Sequence, residues 1–205
     1  MDSASLQEKS PVLCLASASP RRRDLLASIG VEVSVRPSEV DETPYPGEQA
    51  TAYVTRLAIA KAEAAMPHTA LPTLGSDTAV VVDGAILGKP ADADEAASML
   101  GRLSGRTHQV MTAVAVTGPC GVLYRCVSTD VTMRRLTGQE ISRYWQTGEP
   151  ADKAGGYAIQ GLAAVFVEEI KGSYSAVVGL PLYETAQLLH QQGVPIWMGH
   201  YNSHT

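Results

Sequence analysis

The sequence predicts an α/β fold with a mixed, partly antiparallel β-sheet. Short apolar or alternating segments typical of strands occur along the same chain as segments with helical periodicity. These segments do not follow the regular strand–helix–strand spacing of a fully parallel sheet. The length of 205 residues suits one substantial core, and 45% apolar with 18% charged residues is the composition of a soluble globular protein.

The first third of the chain contains a strand, a helix, a second strand and a long helix. The apolar run at 12–17 is a short strand, and residues 19–30 form a helix with proline at its first position and glycine at its end. Residues 31–37 alternate with a period of two, as a strand does. At 48–66 the periodicity is helical, and it places Lys61 near the edge of the core-facing stripe.

The remaining two thirds begin with a buried strand inside residues 73–90, which turns through Asp83 and Gly84, a dipeptide favoured in tight hairpins. The later elements are a helix at 92–103, strands at 108–118 and 121–136, a helix that starts at a capping box of Thr137 and Glu140, and a closing helix at 182–192. No repeat or linker divides the chain. We therefore expect a single domain over residues 12–205, preceded by a loose tail at 1–11.

The composition excludes several functional classes. No stretch reaches the roughly 18 apolar residues that a membrane helix needs, and the N-terminus lacks the apolar core of a signal peptide, so we expect a cytoplasmic protein. The three cysteines have neither the spacing of a disulfide framework nor that of a zinc site. With 16 basic and 21 acidic residues, the net charge of -5 argues against general nucleic-acid binding.

Positive charge is nevertheless concentrated in one stretch, LASASPRRRDLL at residues 15–26. A strand that runs into an arginine-bearing turn at a helix N-terminus offers backbone N–H groups, the positive end of the helix dipole and guanidinium groups to one anion. The stretch lacks the glycine pattern of a Walker loop or of a dinucleotide fingerprint. The alternative is a solvated first helical turn, in which three arginines are unfavourable for the helix. We interpret the stretch as an anion site.

Acidic residues at two places are candidates for chemistry. Asp77 lies inside an apolar strand, where a carboxylate needs a cation or a hydrogen-bond donor, and Lys89 is the candidate partner across the hairpin. Such a pair is either catalytic or structural. The loop with Glu39, Asp41 and Glu42 offers hard oxygen ligands to Mg²⁺ or Mn²⁺, or is solvated surface.

A glycine-rich loop, DKAGGYAIQG at residues 152–161, lies between a helix and a strand. Its glycines let the backbone approach a ligand closely, and Lys153 adds a cation. Gln160 has both a donor and an acceptor, with which it can read the edge of a base. The alternative is a loop that is merely flexible.

Together these stretches resemble the Maf family of nucleoside triphosphate pyrophosphatases over residues 12–192. The motifs that carry the resemblance are LASASPRRRDLL, RLAIAKA, GSDTAVVVDGAILGKP, LSGRTHQVMTAVAV, and DKAGGYAIQG followed by VVGLPL. The resemblance implies an elongated, twisted, mixed sheet flanked by helices, with two lobes around a cleft, a Maf/ITPase-like arrangement. It also implies homodimers and a reaction that depends on Mg²⁺, Mn²⁺ or Co²⁺, in which a nucleotide is cleaved to its monophosphate and pyrophosphate.

The resemblance also assigns expected roles to residues. The catalytic acid–base aspartate of the family matches Asp77, and metal binding falls to the acidic loop, where the ligand is left open among Glu39, Asp41 and Glu42. The expected substrate-binding residues come from the N-terminal turn, the long helix, the hairpin and the glycine-rich loop: Ser17, Arg21, Arg22, Lys61, Thr78, Lys89, Lys153 and Gln160.

The substrate is expected from Arg21, Thr78 and Gln160, which match positions that distinguish subgroups of the family. The glutamine is similar to the subgroup acting on dTTP and UTP, since a neutral amide pairs with the carbonyl and N–H edge of a pyrimidine. One alternative is a pyrophosphatase for 7-methylguanosine triphosphate, whose subgroup tends to carry glutamate at this position, or for another non-standard nucleotide. Another is a nucleotide-sensing regulator of cell division.

The mechanism expected from these residues is in-line attack of water on the α phosphorus. Asp77, with a pKa near its reference value of about 3.9, orients and deprotonates the water, and a metal ion supplies much of the activation. The cationic side chains neutralise the triphosphate. This mechanism requires that the arginine-bearing turn and Asp77 open onto one cavity.

Overall fold

The computed structural model describes residues 10–197. Of the expected tail at 1–11, only the last two residues are among those described, and residues 198–205 of the expected domain also lie outside them. Across the described part, none of the helices combines the length and the apolar character that crossing a membrane requires.

A seven-stranded mixed sheet forms the centre of the described chain. The strands are β1 (Leu13–Leu15), β2 (Val33–Val35), β3 (Thr73–Val82), β4 (Ala85–Leu87), β5 (Thr107–Gly118), β6 (Gly121–Met133) and β7 (Val167–Lys171). Their order is β2-β1-β3-β5-β6-β7, with β4 paired to β3. β1 is parallel to β2 and β3, whereas all other pairs are antiparallel. The predicted α/β class with a mixed sheet is confirmed.

Six α-helices accompany the sheet in residues 10–197. They are α1 (Pro20–Ser28), α2 (Ala50–Ala65), α3 (Ala93–Leu103), α4 (Gly138–Gln146), α5 (Tyr174–Val178) and α6 (Leu182–Gln191). Single 3₁₀ turns at Glu149–Asp152, Ala154–Gly156 and Leu162–Phe166 connect α4 to β7. The predicted capping box starts α4, because Thr137 accepts from the backbone N–H of Glu140 and the Glu140 side chain accepts from that of Thr137.

The hairpin after β3 turns where the sequence predicts but has arms of unequal length. Asp83 and Gly84 have φ values of 52° and 74°, the left-handed conformation that tight hairpin turns require. The first arm, β3, has ten residues and the second, β4, has three. The second arm ends before Pro90, a residue type without an N–H for the ladder.

The packing of α2 on β3 positions residues of the candidate active site. Val54, Leu57 and Ala58 of α2 are fully buried. Gly75 lies on β3 beneath the helix, and a Cβ atom at this residue would lie 2.2 Å from the carbonyl oxygen of Ala58. Because the helix backbone meets the strand there, glycine is needed for the spacing between the two elements.

The substitution Gly75→Ala tests this spacing. The added methyl group forces α2 away from β3, and we expect the free energy of unfolding to fall by about 1–3 kcal/mol in urea denaturation. Gly101→Ala on α3 is the matched control, because a Cβ there meets nothing within 4 Å. The control is expected to gain about 0.5–1 kcal/mol from helix propensity. Equal stability of Gly75→Ala and the wild type would show that the helix does not need this close approach.

Candidate active site

A cavity of about 650 Å³ lies where β1 runs into α1, beside β3, the β3–β4 hairpin and the loop after α4. Its lining includes Asp77, one of the three candidate carboxylates of the acidic loop and all of the predicted substrate-binding residues: Ser17, Arg21, Arg22, Glu42, Lys61, Asp77, Thr78, Lys89, Lys153 and Gln160. The arginine-bearing turn and Asp77 therefore open onto one cavity.

The three arginines of the N-terminal turn are placed differently. Arg22 is held in place, because its Nε donates to the carbonyl of Gly179 at 2.9 Å and its Nη1 donates to Ser17 Oγ at 3.0 Å. Burial lowers the pKa of Arg22, and the charge of Asp77 opposes this shift. Arg21 lines the cavity, and Arg23 is exposed on the helix outside it. The turn thus supplies one fixed and one adjustable cation.

Lys61 joins two carboxylates at the centre of the site. Its Nζ lies 2.7 Å from Asp77 Oδ1 and 2.6 Å from Glu42 Oε1. Burial raises the pKa of Asp77, and the charge and hydrogen bond of Lys61 oppose the rise. Burial also acts to raise the pKa of Glu42, but the hydrogen bond and charge of Lys61, together with the charges of Lys89 and Arg22, lower that pKa overall. Asp77 is therefore more basic than the sequence predicted, while Glu42 stays ionised.

The ion pair of Asp77 is made with Lys61, and the predicted pairing with Lys89 is wrong. β4 ends at Leu87, so the chain leaves the ladder before Lys89 can pair across β3. The helix α2 instead lies directly on β3 and brings Lys61 to the strand. Lys89 still lines the cavity, where its charge lowers the pKa of Glu42.

Of the three carboxylates predicted in the acidic loop, Glu42 is the one that lines the cavity. Asp41 Oδ1 accepts from the backbone N–H of Thr43 at 2.9 Å, so this carboxylate stabilises a turn. Glu39 is exposed and, like Asp41, does not line the cavity. Of the three carboxylates considered, Glu42 is therefore the one that this loop presents to the cavity.

The acidic loop is tied to α2 by contacts that sequence reasoning missed. Arg56 donates to both carboxylate oxygens of Glu48, at 2.8 and 2.7 Å, and its guanidinium lies 4.1 Å from the ring centre of Tyr45. Tyr53, which lines the cavity, donates its hydroxyl to the carbonyl of Glu42 at 2.9 Å. The sequence shows tyrosines and charged residues at 42–56, but their spacing does not indicate which of these side chains contact one another.

The glycine-rich loop is fixed to the β3–β4 hairpin. Gly155 has a φ of 68°, and its N–H donates to the carbonyl of Gly88 at 2.9 Å. A Cβ atom at Gly155 would lie 2.9 Å from Val80 Cγ1, so this glycine serves the packing of the loop itself. The packed loop places Lys153 and the exposed Gln160 on the cavity.

Charge is distributed unequally around the cavity. Its lining holds five basic and three acidic side chains: Arg21, Arg22, Lys61, Lys89 and Lys153 against Glu42, Asp77 and Asp152. The excess of positive charge contrasts with the net charge of -5 for the whole chain. In residues 10–197, no cluster of three or more His, Cys, Asp or Glu side chains is arranged to hold a metal. The excess of cationic side chains suits a polyanion.

The family model described as "Maf-like protein" matches residues 12–192. The chain belongs to the Maf family. A curated relative from Saccharophagus degradans, named dTTP/UTP pyrophosphatase, is 55% identical over 93% of this chain and 93% of its own length. A relative of the same name from Hahella chejuensis is 51% identical over 90% of this chain and 94% of its own.

Membership of the Maf family confirms the family predicted from the motifs, over the same residues. Among solved structures, the nucleoside-triphosphatase or dITP/XTP pyrophosphatase of Mycobacterium abscessus is similar over 60% of this chain and 73% of its own, with 22% identity and a TM-score of 0.40. The Maf motifs of this chain lie on the elements around the cavity: the β1–α1 turn, α2, β3 and the loop after α4.

The different placement of neighbouring arginines gives a prediction for stability. Arg22→Ala is expected to lower the free energy of unfolding by about 2 kcal/mol, because the hydrogen bonds of a charged group to Gly179 and Ser17 are lost. Arg23→Ala removes the same charge from an exposed position and is expected to change stability by less than about 0.5 kcal/mol. Thermal or urea unfolding of both variants provides the comparison, and equal losses would contradict the assignment of Arg22 as a fixed group.

Proposed function

We propose that the protein is a nucleoside triphosphate pyrophosphatase that hydrolyses dTTP and UTP to the monophosphate and pyrophosphate. The observation that carries this proposal is the convergence of five cationic side chains and the buried Asp77 on one cavity. The curated relatives named dTTP/UTP pyrophosphatase, which are about half identical over nearly the whole chain, support the same activity.

Asp77 acts on the attacking water. Lys61 engages its Oδ1 at 2.7 Å, and no donor within residues 10–197 bonds its Oδ2. Oδ2 accepts a proton from a water aimed at the α phosphorus, and Lys61 keeps the carboxylate oriented. Burial, which raises the pKa of Asp77, makes the carboxylate a stronger base than an exposed aspartate.

The cations around Asp77 bind the triphosphate and stabilise the leaving pyrophosphate. Arg21 and Lys89 both line the cavity and come from different elements, the N-terminal turn and the segment after β4. Guanidinium groups pair with phosphate oxygens in a bidentate manner, and fixed cations cost no reorganisation as charge moves to the leaving group. Arg22, which is held by Gly179 and Ser17, is the preorganised member of this set.

A divalent metal, Mg²⁺, Mn²⁺ or Co²⁺, belongs to the proposal. Glu42 fits such an ion because its ionised carboxylate lines the cavity and 49% of its side chain is exposed. It also lies close to Asp77, since both carboxylates pair with Lys61. When bound, the ion supplies charge neutralisation of phosphate oxygens and activation of water. Glu42 would hold it together with the phosphates of the substrate, in the manner of Mg²⁺ sites with few protein carboxylates.

Gln160, which is exposed and lines the cavity, is the proposed reader of the base. Its amide offers a donor and an acceptor to a pyrimidine, whereas a glutamate would offer acceptors alone. Thr78 lies beneath Arg22, whose Nη2 is 3.5 Å from its hydroxyl, and so belongs to the arginine side of the site. Action in the cytoplasm, expected from the composition and the N-terminal sequence, belongs to the proposal. Homodimer formation and a part in septum formation belong to it through the resemblance alone.

A nucleotide panel is the experiment that tests the function. The wild type is incubated with dTTP, UTP, 7-methylguanosine triphosphate and the common triphosphates, and monophosphate and pyrophosphate are both quantified. We expect dTTP and UTP to have the highest kcat/KM. In Asp77→Asn, turnover should fall by about 10²–10⁴-fold while nucleotide binding is retained. Tight binding without any pyrophosphate would instead identify a nucleotide sensor.

The metal assignment predicts unequal effects of two acidic-loop variants. Glu42→Gln is expected to raise the Mg²⁺ concentration for half-maximal activity by about tenfold or more. Asp41→Asn keeps the acceptor for Thr43 and loses the same charge outside the cavity, so its Mg²⁺ dependence should match that of the wild type. Activity is titrated with Mg²⁺ after treatment with a chelator, and a wild type that retains full activity without added metal would overturn the assignment.

Base reading is tested at Gln160. Gln160→Glu is expected to lower kcat/KM for dTTP and UTP by about tenfold, because an acceptor-only side chain meets the carbonyl oxygens of the pyrimidine. Purine triphosphates, measured in parallel, should lose much less. An equal loss on every nucleotide would mean that the residue affects the triphosphate and not the base.

A further inference from the structure

The side chain of Gln160 is not fixed by its own contacts. It is exposed at the rim of the cavity, and no protein group within residues 10–197 forms a hydrogen bond with its amide. Its direction is therefore set by the backbone on either side. The residues that hold this backbone determine where the amide lies when a nucleotide arrives.

The backbone on both sides of Gln160 is held by one pair of side chains, Tyr144 and Glu149. The Tyr144 hydroxyl accepts from the N–H of Ala158 at 3.2 Å, two residues before the glutamine. Glu149 Oε2 accepts from the N–H of Leu162 at 3.0 Å, two residues after it. The two side chains are joined, because the Tyr144 hydroxyl donates to Glu149 Oε1 at 2.7 Å.

Packing contacts hold Tyr144 and Glu149 in place. The Tyr144 ring is 4% exposed and meets the Phe166 ring edge-on, with centroids 5.2 Å apart. Gly161 leaves room for the carboxylate, since a Cβ atom at this residue would lie 2.3 Å from Glu149 Oε2. A second amide, that of Ala163, also donates to Glu149 Oε1 at 3.3 Å. Burial raises the pKa of Tyr144, which keeps the phenol a donor at neutral pH.

We propose that Tyr144 and Glu149 are positioning residues for base recognition, which hold the 158–162 backbone so that Gln160 points at the nucleobase. This inference rests on the proposed function, since it adds to Gln160 the groups that aim it. Neither residue lines the cavity, so their effect on the nucleotide passes through the loop.

The test compares nucleotide selectivity in matched variants. Tyr144→Phe removes one oxygen and keeps the ring packed on Phe166, and Tyr183→Phe makes the same change at a 71% exposed position on α6. The measured quantity is the ratio of kcat/KM for UTP to that for GTP. Tyr144→Phe is expected to lower this ratio about fivefold to tenfold, the worth of one to two lost hydrogen bonds, while Tyr183→Phe leaves it unchanged.

Combination with Gln160→Ala separates positioning from general damage to the fold. If Tyr144 acts by aiming Gln160, then Tyr144→Phe lowers the ratio in the wild type but not in the Gln160→Ala background. An unchanged ratio in Tyr144→Phe, or an equal loss in both backgrounds, would overturn the inference.

Gly161→Ala provides a second, independent variant. Its methyl group displaces the Glu149 carboxylate, while both positioning residues keep their identity. Like Tyr144→Phe, this variant is expected to lower the ratio of kcat/KM for UTP to that for GTP. An unchanged ratio would count against the inference. If the proposed function itself is wrong, the wild type shows no preference for UTP, and Gln160→Ala leaves the ratio of kcat/KM for UTP to that for GTP unchanged. Failure of the inference alone is seen only in the Tyr144 and Gly161 variants.

Discussion

The ammonium group of Lys61, held between Asp77 and Glu42, is the interaction on which the rest of the site depends. A carboxylate buried in the middle of a strand is costly without a partner, and Lys61 offsets that cost at 2.7 Å. The contact exists because α2 lies on β3 at the distance that Gly75 permits. One glycine on the strand and one lysine on the helix therefore decide whether Asp77 is an oriented, paired carboxylate or an isolated buried acid.

The charges around this centre explain how an acidic protein can bind a polyanion. Five cationic side chains from four separate elements line one cavity against three acidic ones, although the whole chain has a net charge of -5. In a concave site such an excess raises the local concentration of a triphosphate without creating the broad basic face that a nucleic acid needs. Arg22 donates its hydrogen bonds to groups of the protein, so the position of its positive charge is fixed. Arg21 remains able to adjust its position to the phosphates.

Much of the fold and of the site follows from local patterns, and the exceptions share one physical cause. The arginine-bearing turn, the strand with Asp77 and the capping box of α4 are local features, and the structure contains each of them. The partner of Asp77 was predicted wrongly because it comes from a helix 16 residues away and not from the adjoining hairpin. Likewise, Gly179 lies 157 residues from Arg22, and no sequence pattern indicates that its carbonyl holds the guanidinium. Local periodicity specifies elements, whereas these contacts arise only when elements pack.

The role of Asp77 in the cavity is tested by a crystal structure with Mg²⁺ and a UTP analogue that has a non-hydrolysable nitrogen bridge between the α and β phosphates. We expect the triphosphate to lie in the cavity, with the α phosphorus facing a water held by Asp77 and the uracil edge against Gln160. An analogue bound with its α phosphorus turned away from Asp77, or bound outside the cavity, would contradict it.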